Sequence, residues 1–240
     1  MKKRKNNYRK VPLCSECLPR TKNTLFCSLT QLELLKNNKE KTHGFYSKGE
    51  HIFLERTRGH GLYCVHKGKV KIHKLGAEAK EQIVRFAKEG DVLGYRSLLS
   101  NEPYFATATT LEDSIICYVS KKTFLELLSN NNSLSYNVIQ ILTQNLKDSE
   151  NKIINLKQKS VIQRVCEALL ILKEKFGLTE DNYLTVKLSR REIGDLADIT
   201  TETTIRTLSK LNKKGVIVLE GKKIRLMDKN QLIQLAHVFD

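Results

Sequence analysis

The chain has 240 residues and a formal net charge of +16, from 42 Lys and Arg residues against 26 Asp and Glu residues. This length accommodates two compact domains, and the positive charge favours polyanionic partners such as nucleic acid. No apolar run approaches the roughly 20 residues that span a bilayer, and no apolar signal segment follows the basic N-terminus. We therefore predict a cytoplasmic protein without a membrane partner, in which the six cysteines are not structural disulfides.

Residues 1–27 are predicted to be a basic arm followed by a cysteine segment. The first ten residues carry six Lys and Arg and no acid, a composition that adds nonspecific affinity for DNA. Cys14 and Cys17 have the C-x2-C spacing that metal-binding thiols often use, and Cys27 follows after nine residues. The alternative is an unliganded pair of thiols in a flexible arm.

Residues 28–131 are predicted to be an antiparallel β-roll. Short segments at 52–54, 62–65, 70–72, 83–86 and 114–119 alternate apolar and polar side chains, and glycine turns separate them. Many short strands with regular turns indicate a roll or barrel rather than a parallel sheet. A short helix over 123–128 closes this domain.

Residues 132–159 are predicted to form one long dimerisation helix. A second apolar face near its start, made by Leu134, Val138 and Ile141, is available to pack on the roll. The alternative to a dimer is a helix that is buried only within its own monomer. A strict 3-4 spacing, typical of a two-helix coiled coil, connects five apolar residues, with Ser149 as a polar member of the series. The apolar residues are Ile139, Leu142, Leu146, Ile153 and Leu156.

Residues 160–240 are predicted to be a winged helix-turn-helix that begins with a helix over 161–176. Ser189 and Glu192 have the spacing of a capping box at the start of one short helix. Thr200 or Thr201 caps the next helix, whose buried side we predict to carry Ile205, Leu208 and Leu211. The alternative is an ordinary helical hairpin with a solvated surface.

A basic β-hairpin follows the two short helices. Two β-prone runs, at 216–219 and 222–226, flank a Glu-Gly turn, as in the wing of a winged helix. Residues 186–225 hold ten Lys and Arg against five Asp and Glu, which suits contact with DNA phosphates. Together, the helices and the hairpin favour DNA binding.

The order of roll, long helix and winged helix resembles the CRP/FNR family of bacterial transcription regulators. The motifs that carry the resemblance are Tyr46-Ser-Lys-Gly-Glu50, 62–70, 89–94 and the helix-turn-helix with residues 201–208. It implies an α+β fold with a cyclic-nucleotide-binding-like jelly roll, and a homodimer that reads a palindrome with TGA-like half-sites. RNA polymerase is the expected protein partner.

By this resemblance, Glu202 and Arg206 read the bases. Thr201 and Ile205 stand at neighbouring positions where well-known members carry other residues, so the outer bases of the half-site are left open. The remaining predicted DNA contacts are Ser189, Arg190, Thr203, Lys210 and Lys222.

The roll lacks the side chains that hold a cyclic nucleotide in members of the family. Tyr95 stands where a Glu holds the ribose, and Phe105-Ala106 replace the Arg-Ser pair that holds the phosphate. A buried phosphate without these partners loses charge-assisted hydrogen bonds, so cyclic AMP is not the expected effector.

The cysteines resemble those of the FNR-type branch, which implies a redox- or oxygen-responsive [4Fe–4S] cluster. Its implied ligands are Cys14, Cys17, Cys27 and Cys117, while Cys64 and Cys166 are expected in the apolar core. The alternatives are a four-thiolate zinc site and no metal at all, with another small effector or constitutive action.

No catalytic motif stands out in the chain, and the six histidines are scattered, so we predict that it is not an enzyme. The competing class is a module in which the roll sequesters a small molecule and DNA contact is secondary.

Overall fold

The computed structural model describes residues 13, 14, 17, 24–76 and 81–236, and the predicted basic arm lies outside these residues. A 3-10 turn at Leu25–Ser28 precedes helix α1, Gln31–Glu40. Thr30 and Glu33 cap this helix reciprocally. Helix α1 was not predicted, because it has few apolar residues.

The roll consists of two four-stranded antiparallel sheets, as predicted. One sheet has the order β1-β8-β3-β6 and the other β2-β7-β4-β5. The predicted strands are present, whereas β1, β6, β7 and the short helix α2, Tyr95–Ser100, were not predicted. The strands are β1 Thr42–Tyr46, β2 His51–Phe53, β3 Gly61–Lys67, β4 Val70–Leu75, β5 Glu81–Ala87, β6 Val92–Leu93, β7 Thr107–Thr110 and β8 Ser114–Ser120.

The two faces of β3 and β8 have different neighbours. Val65 and Ile116 belong to the apolar core of the roll, which also includes residues of β4 and β7. Leu62 and Val119 instead pack with the N-terminal turn and the helices that follow the roll. Because side chains alternate along a strand, Cys64 and Cys117 lie on this second, outer face.

Helix α3, Lys121–Asn130, leads into the long helix α4, Asn132–Gln158, so both predicted helices are present. Leu134 and Val138 are buried and pack on the roll with half-buried Ile141, as predicted. Within the described residues, no helix combines the length and apolar character that are needed to cross a membrane.

The C-terminal domain has the predicted order of elements. Helix α5, Val161–Phe176, is followed by α6, Arg190–Ala197, and α7, Thr201–Lys213. Strands β9, Ile217–Glu220, and β10, Lys223–Leu226, pair as a hairpin. A further helix, α8, Lys229–Ala236, was not predicted and packs on α5.

The roll and the C-terminal domain are docked on each other. Phe86 of β5 meets Phe176 of α5 edge to face, with 5.4 Å between ring centroids. Lys71 of β4 bridges Glu81 of the same sheet, at 2.8 Å, and Glu192 of α6, at 3.4 Å. This contact links the roll to the first helix of the helix-turn-helix.

Gly194 sets the spacing between α6 and α7. A Cβ at this position would lie 2.7 Å from Thr204 Oγ1 and 2.9 Å from the Ile199 carbonyl oxygen. We predict that Gly194→Val lowers the free energy of unfolding by about 1–3 kcal/mol, because the added methyls force the helices apart. Urea denaturation followed by circular dichroism measures the change.

The matched control is Ser209→Ala, an exposed helical position where the new side chain meets no packed neighbour. We expect the midpoint of its urea denaturation to stay near that of the wild-type protein. Equal stability of the Gly194→Val protein and the wild type would show that the two helices tolerate a wider separation.

Candidate nucleic-acid interface and thiol cavity

Capping interactions define both helices of the helix-turn-helix. The backbone N–H of Glu192 donates to Ser189 Oγ, and the carboxylate of Glu192 accepts from the backbone N–H of Ser189. Burial alone raises the pKa of Glu192, but the hydrogen bonds from Ser189 and the charge of Lys71 outweigh it and hold the pKa below its usual value. Thr200, one of the two predicted caps, accepts from the backbone N–H of Thr203 at the start of α7.

Helix α7 presents the two predicted base-reading side chains to solvent. The side chains of Glu202 and Arg206 are 80% and 70% exposed, and Glu202 Oε1 lies 4.0 Å from Arg206 Nη2. Thr201 and Lys210 are exposed on the same helix, whereas Thr203 is half-buried. A guanidinium this accessible is free to turn both N–H groups of its fork toward a base edge.

The predicted burial of Ile205 is wrong, because its side chain is 51% exposed. The buried face of α7 consists of Thr204, Thr207, Leu208 and Leu211, a helical spacing that leaves position 205 outside. Exposure places Ile205 beside Arg206 on the outer surface, where we also predicted it to contact DNA.

The remaining predicted contacts surround the wing. Lys222 is exposed in the turn between β9 and β10. Arg190 donates from Nη2 to the Gly221 carbonyl at 2.9 Å, so it holds the wing turn against the start of α6. The Ser189 hydroxyl serves the capping box. These two side chains therefore have structural partners in addition to any phosphate.

Family models match both domains of this chain. A model described as cyclic nucleotide-binding domain matches residues 44–131, and a Crp-like helix-turn-helix domain model matches residues 163–235. The chain belongs to the CRP/FNR family of transcription regulators. It is therefore a DNA-binding regulator with the fold that its sequence predicted.

Individual CRP/FNR proteins resemble most of the chain. The fumarate and nitrate reduction regulatory protein of Vibrio cholerae is 25% identical over 226 residues, which cover 92% of this chain and 87% of that protein. The CRP-like cAMP-activated global transcriptional regulator of Mycobacterium tuberculosis is 26% identical over 193 residues, which cover 80% and 86% of the two chains. The structure of FixK2 from Bradyrhizobium japonicum superimposes with a TM-score of 0.73 and 26% identity, covering 81% of this chain and 96% of FixK2.

The residues predicted to stand in place of cyclic-nucleotide contacts make other contacts here. Tyr95 is buried, and its hydroxyl accepts from the Asn145 side chain of α4 at 2.6 Å. Phe105 lies under the ammonium of Lys74 and the guanidinium of Arg96, at 3.9 and 4.5 Å from the ring centroid. Arg96 therefore faces an aromatic ring.

The predicted dimer seam of α4 is exposed. Its five apolar side chains are exposed, whereas Leu134 and Val138 near the start of the same helix are buried. The side chains of the seam are Ile139 (57% exposed), Leu142 (38%), Leu146 (60%), Ile153 (57%) and Leu156 (37%).

Three of the four predicted metal ligands line one cavity on the outer face of the β1-β8-β3-β6 sheet. Cys14, Cys17 and Cys117 surround it, together with Cys64. Cys27 lies outside the cavity, exposed, with its Sγ 3.8 Å from the Asn137 amide of α4. Cys166 is buried in the C-terminal core as predicted.

Polar groups of α1 and β3 approach the thiols. Lys41 Nζ lies 3.1 Å from Cys14 Sγ, and the Asn37 amide donates to the same sulfur at 3.5 Å. Cys17 Sγ is 3.3 Å from His66 Nδ1. Burial and the nearby charge of Lys41 lower the pKa of His66.

The two thiols on the sheet have pKa values above the ordinary range of cysteine. Burial raises the pKa of Cys117 to about 11. Burial, followed by the neighbouring Cys117, raises the pKa of Cys64 well above its ordinary value. Cys64, Lys41, Asn37 and His66 were not predicted as residues of this cavity. Strand alternation alone could have placed Cys64 and His66 on one face of β3.

Proposed function

We propose that this regulator acts as a homodimer on palindromic DNA with TGA-like half-sites and that an iron–sulfur cluster makes it responsive to redox state. The observation that carries the DNA part is the exposed Glu202–Arg206 pair at the start of a capped α7, beside a basic wing. Arg forks onto guanine O6 and N7, and Glu accepts from cytosine N4. Recruitment of RNA polymerase or steric repression is the proposed output.

The exposed seam of α4 supports the dimer. Leu146 and Ile153, each more than half exposed, lie one heptad apart, as expected for a helix that pairs with its own copy. A two-fold dimer presents two α7 helices to half-sites about 34–36 Å apart, which matches a palindromic operator.

The thiol cavity supports the cluster. Four cysteine thiolates are the usual ligands of such a cluster, and Cys14, Cys17 and Cys117 line the cavity with a fourth thiol. When bound, the cluster supplies an oxidisable centre. Lys41 and Asn37, which already contact Cys14 Sγ, place positive charge and an N–H donor where thiolate charge would be held.

The N-terminal turn connects the cavity to the dimer helix. Phe26 lines the cavity, and Leu25 is buried in the same apolar cluster as Leu134 and Val138 of α4. The Asn137 amide donates to Ser28 Oγ at 3.2 Å. Since the seam begins at Ile139, a change in how the turn packs shifts the start of the dimer helix and, through it, the spacing of the two α7 helices.

The test uses the full-length protein purified without oxygen. We expect a visible absorbance band, iron and sulfide in equal amounts, and retardation of a TGA/TCA palindrome but not of a scrambled duplex. Exposure to air is expected to weaken the retardation. A colourless, metal-free dimer that binds the palindrome would exclude the cluster and leave a regulator with another effector. Equal binding to both duplexes would exclude the proposed readout.

A further inference from the structure

Four thiols, not three, surround the cavity, and the fourth belongs to Cys64. This residue lies in the middle of β3, directly opposite Cys117 of β8 in the register of the sheet. Residues opposite each other in an antiparallel pair have Cβ atoms about 4.5–5.5 Å apart on the same face. The sheet therefore supplies two neighbouring sulfurs from rigid strands.

Cys14 and Cys17 supply the other two sulfurs. The backbone N–H of Cys14 donates to the Asn38 side chain of α1 at 2.7 Å, which ties Cys14 to the helix. Cys17 is held beside His66 of β3, two residues from Cys64. Two thiols thus face the cavity from each side.

Cys27 occupies a different place. It lies on the 3-10 turn, where the preceding residue, Phe26, faces the cavity and Cys27 faces solvent and Asn137. The turn is anchored on both sides of it, because Leu25 and Leu29 are buried. Bringing the Cys27 sulfur into the cavity would require the turn to rotate and to expose these two leucines.

The space between the thiols fits a cluster better than a single ion. The cavity measures about 60 Å³, whereas one water needs only about 10–15 Å³. Among the described residues, no three His, Cys, Asp or Glu side chains are already grouped to hold a metal ion, so either a zinc ion or a cluster would draw the four sulfurs closer together. Ligands of one zinc ion all lie about 2.0–2.3 Å from it, but the thiolates of a cluster bind different irons and stay further apart.

The charge of the site is also consistent with a bound anionic group. A cluster with four thiolate ligands carries net negative charge, which a buried site must offset. The residue Lys41 is only 8% exposed, and its ammonium nitrogen lies 3.1 Å from Cys14 Sγ. It therefore provides a buried cation at the edge of the cavity.

We propose that Cys14, Cys17, Cys64 and Cys117 are the four ligands of the iron–sulfur cluster and that Cys27 is not a ligand. This inference rests on the proposed function, because it concerns the same cavity, but it replaces one of the four cysteines that the sequence pattern implied.

Single Cys→Ala variants of the full-length protein at positions 14, 17, 27, 64 and 117 test the ligand set. Each is reconstituted anaerobically with iron and sulfide, and the iron, sulfide and zinc per chain and the visible spectrum are measured. Cys166→Ala, in the core of the C-terminal domain, is the control for loss of a buried thiol. Thermal unfolding reports whether each variant is folded.

We expect the wild type, Cys27→Ala and Cys166→Ala to bind about four irons per chain. In the other four variants, the bound iron should fall by at least about tenfold. Replacing a residue that only hydrogen-bonds to a metal ligand can already weaken metal binding by this factor. Full loading of Cys64→Ala together with loss in Cys27→Ala would overturn the ligand assignment while leaving the proposed function intact. A wild type that binds only zinc, or no metal, would overturn both the cluster and its ligands.

A second measurement covers the case in which Cys64→Ala does not fold. The loaded wild-type protein is alkylated under anaerobic conditions and the modified cysteines are identified by mass spectrometry. Cys27 is expected to react in the loaded protein as fast as after removal of the iron by a chelator. Protection of Cys27 that disappears with the iron would show that it is a ligand and overturn the inference.

Discussion

Replacing Arg206 with alanine is expected to weaken binding to a TGA-containing palindrome by roughly 30-fold to 10⁴-fold. A bidentate contact to guanine contributes about 1–3 kcal/mol of discrimination, and a dimer makes it twice. The side chain is 70% exposed, so its removal should leave the fold intact. Titration of the palindrome by fluorescence anisotropy measures the loss, and an operator with the contacted guanine replaced measures the selectivity.

The control separates base readout from general attraction to DNA. Lys222→Ala removes an exposed charge of the wing turn. It should weaken binding to all duplexes alike and reduce the slope of log affinity against log salt by about one per chain. If Arg206→Ala kept the wild-type preference between the two operators, α7 would not be reading that base.

Glu202 is coupled to Arg206 in the same helix. Their charged groups are 4.0 Å apart, so Glu202→Ala removes the proposed base contact and also releases Arg206 from its neighbour. The two substitutions are therefore not expected to be additive, and the double variant is needed to separate the pair.

Replacing Leu146 with glutamate is expected to convert the protein to a monomer at micromolar concentration. In a two-fold dimer the substitution places two carboxylates in the apolar seam, where charged groups are costly to bury. Because half of the operator contacts are then lost, affinity for the palindrome should fall by more than about 100-fold, the lower part of the usual gap between specific and nonspecific binding. Sedimentation velocity and anisotropy measure the two effects.

Leu32→Glu on α1 is the matched control for this substitution. Leu32 is 79% exposed, against 60% for Leu146, and lies on another helix. The same change of charge and size should leave the oligomeric state unchanged. A Leu146→Glu protein that still sediments as the wild-type species would show that the seam does not hold the dimer.

The elements that were predicted correctly have strong local patterns. The capping box of Ser189 and Glu192 and the Thr200 cap each operate within three residues of sequence. The β-branched runs around the Glu-Gly turn form the wing, and the heptad spacing of α4 forms an exposed seam. Such patterns depend on periods of 2, 3.6 or 3.5 residues, which are legible without the tertiary fold.

The elements that were missed lack these patterns. Strand β7, with the residues Thr-Ala-Thr-Thr, has no large apolar side chain, and β6 has only two residues. They are strands because neighbouring strands satisfy their backbone hydrogen bonds. The burial of Ile205 was mispredicted because the buried face of α7 includes the small residues Thr204 and Thr207, with Thr204 close to Gly194, and hydrophobicity alone does not indicate this.

By itself, the sequence determined the order of the domains, the second helix of the helix-turn-helix with its Glu and Arg, and the presence of closely spaced thiols at the N-terminus. Only the tertiary structure decided which thiols come together. Cys64 and Cys117 are 53 positions apart along the chain, and the register of two antiparallel strands makes them neighbours. Cys27 is nearer to Cys17 in sequence than Cys64 and Cys117 are. The burial of the leucines on both sides of Cys27 nevertheless turns its sulfur away from the cavity.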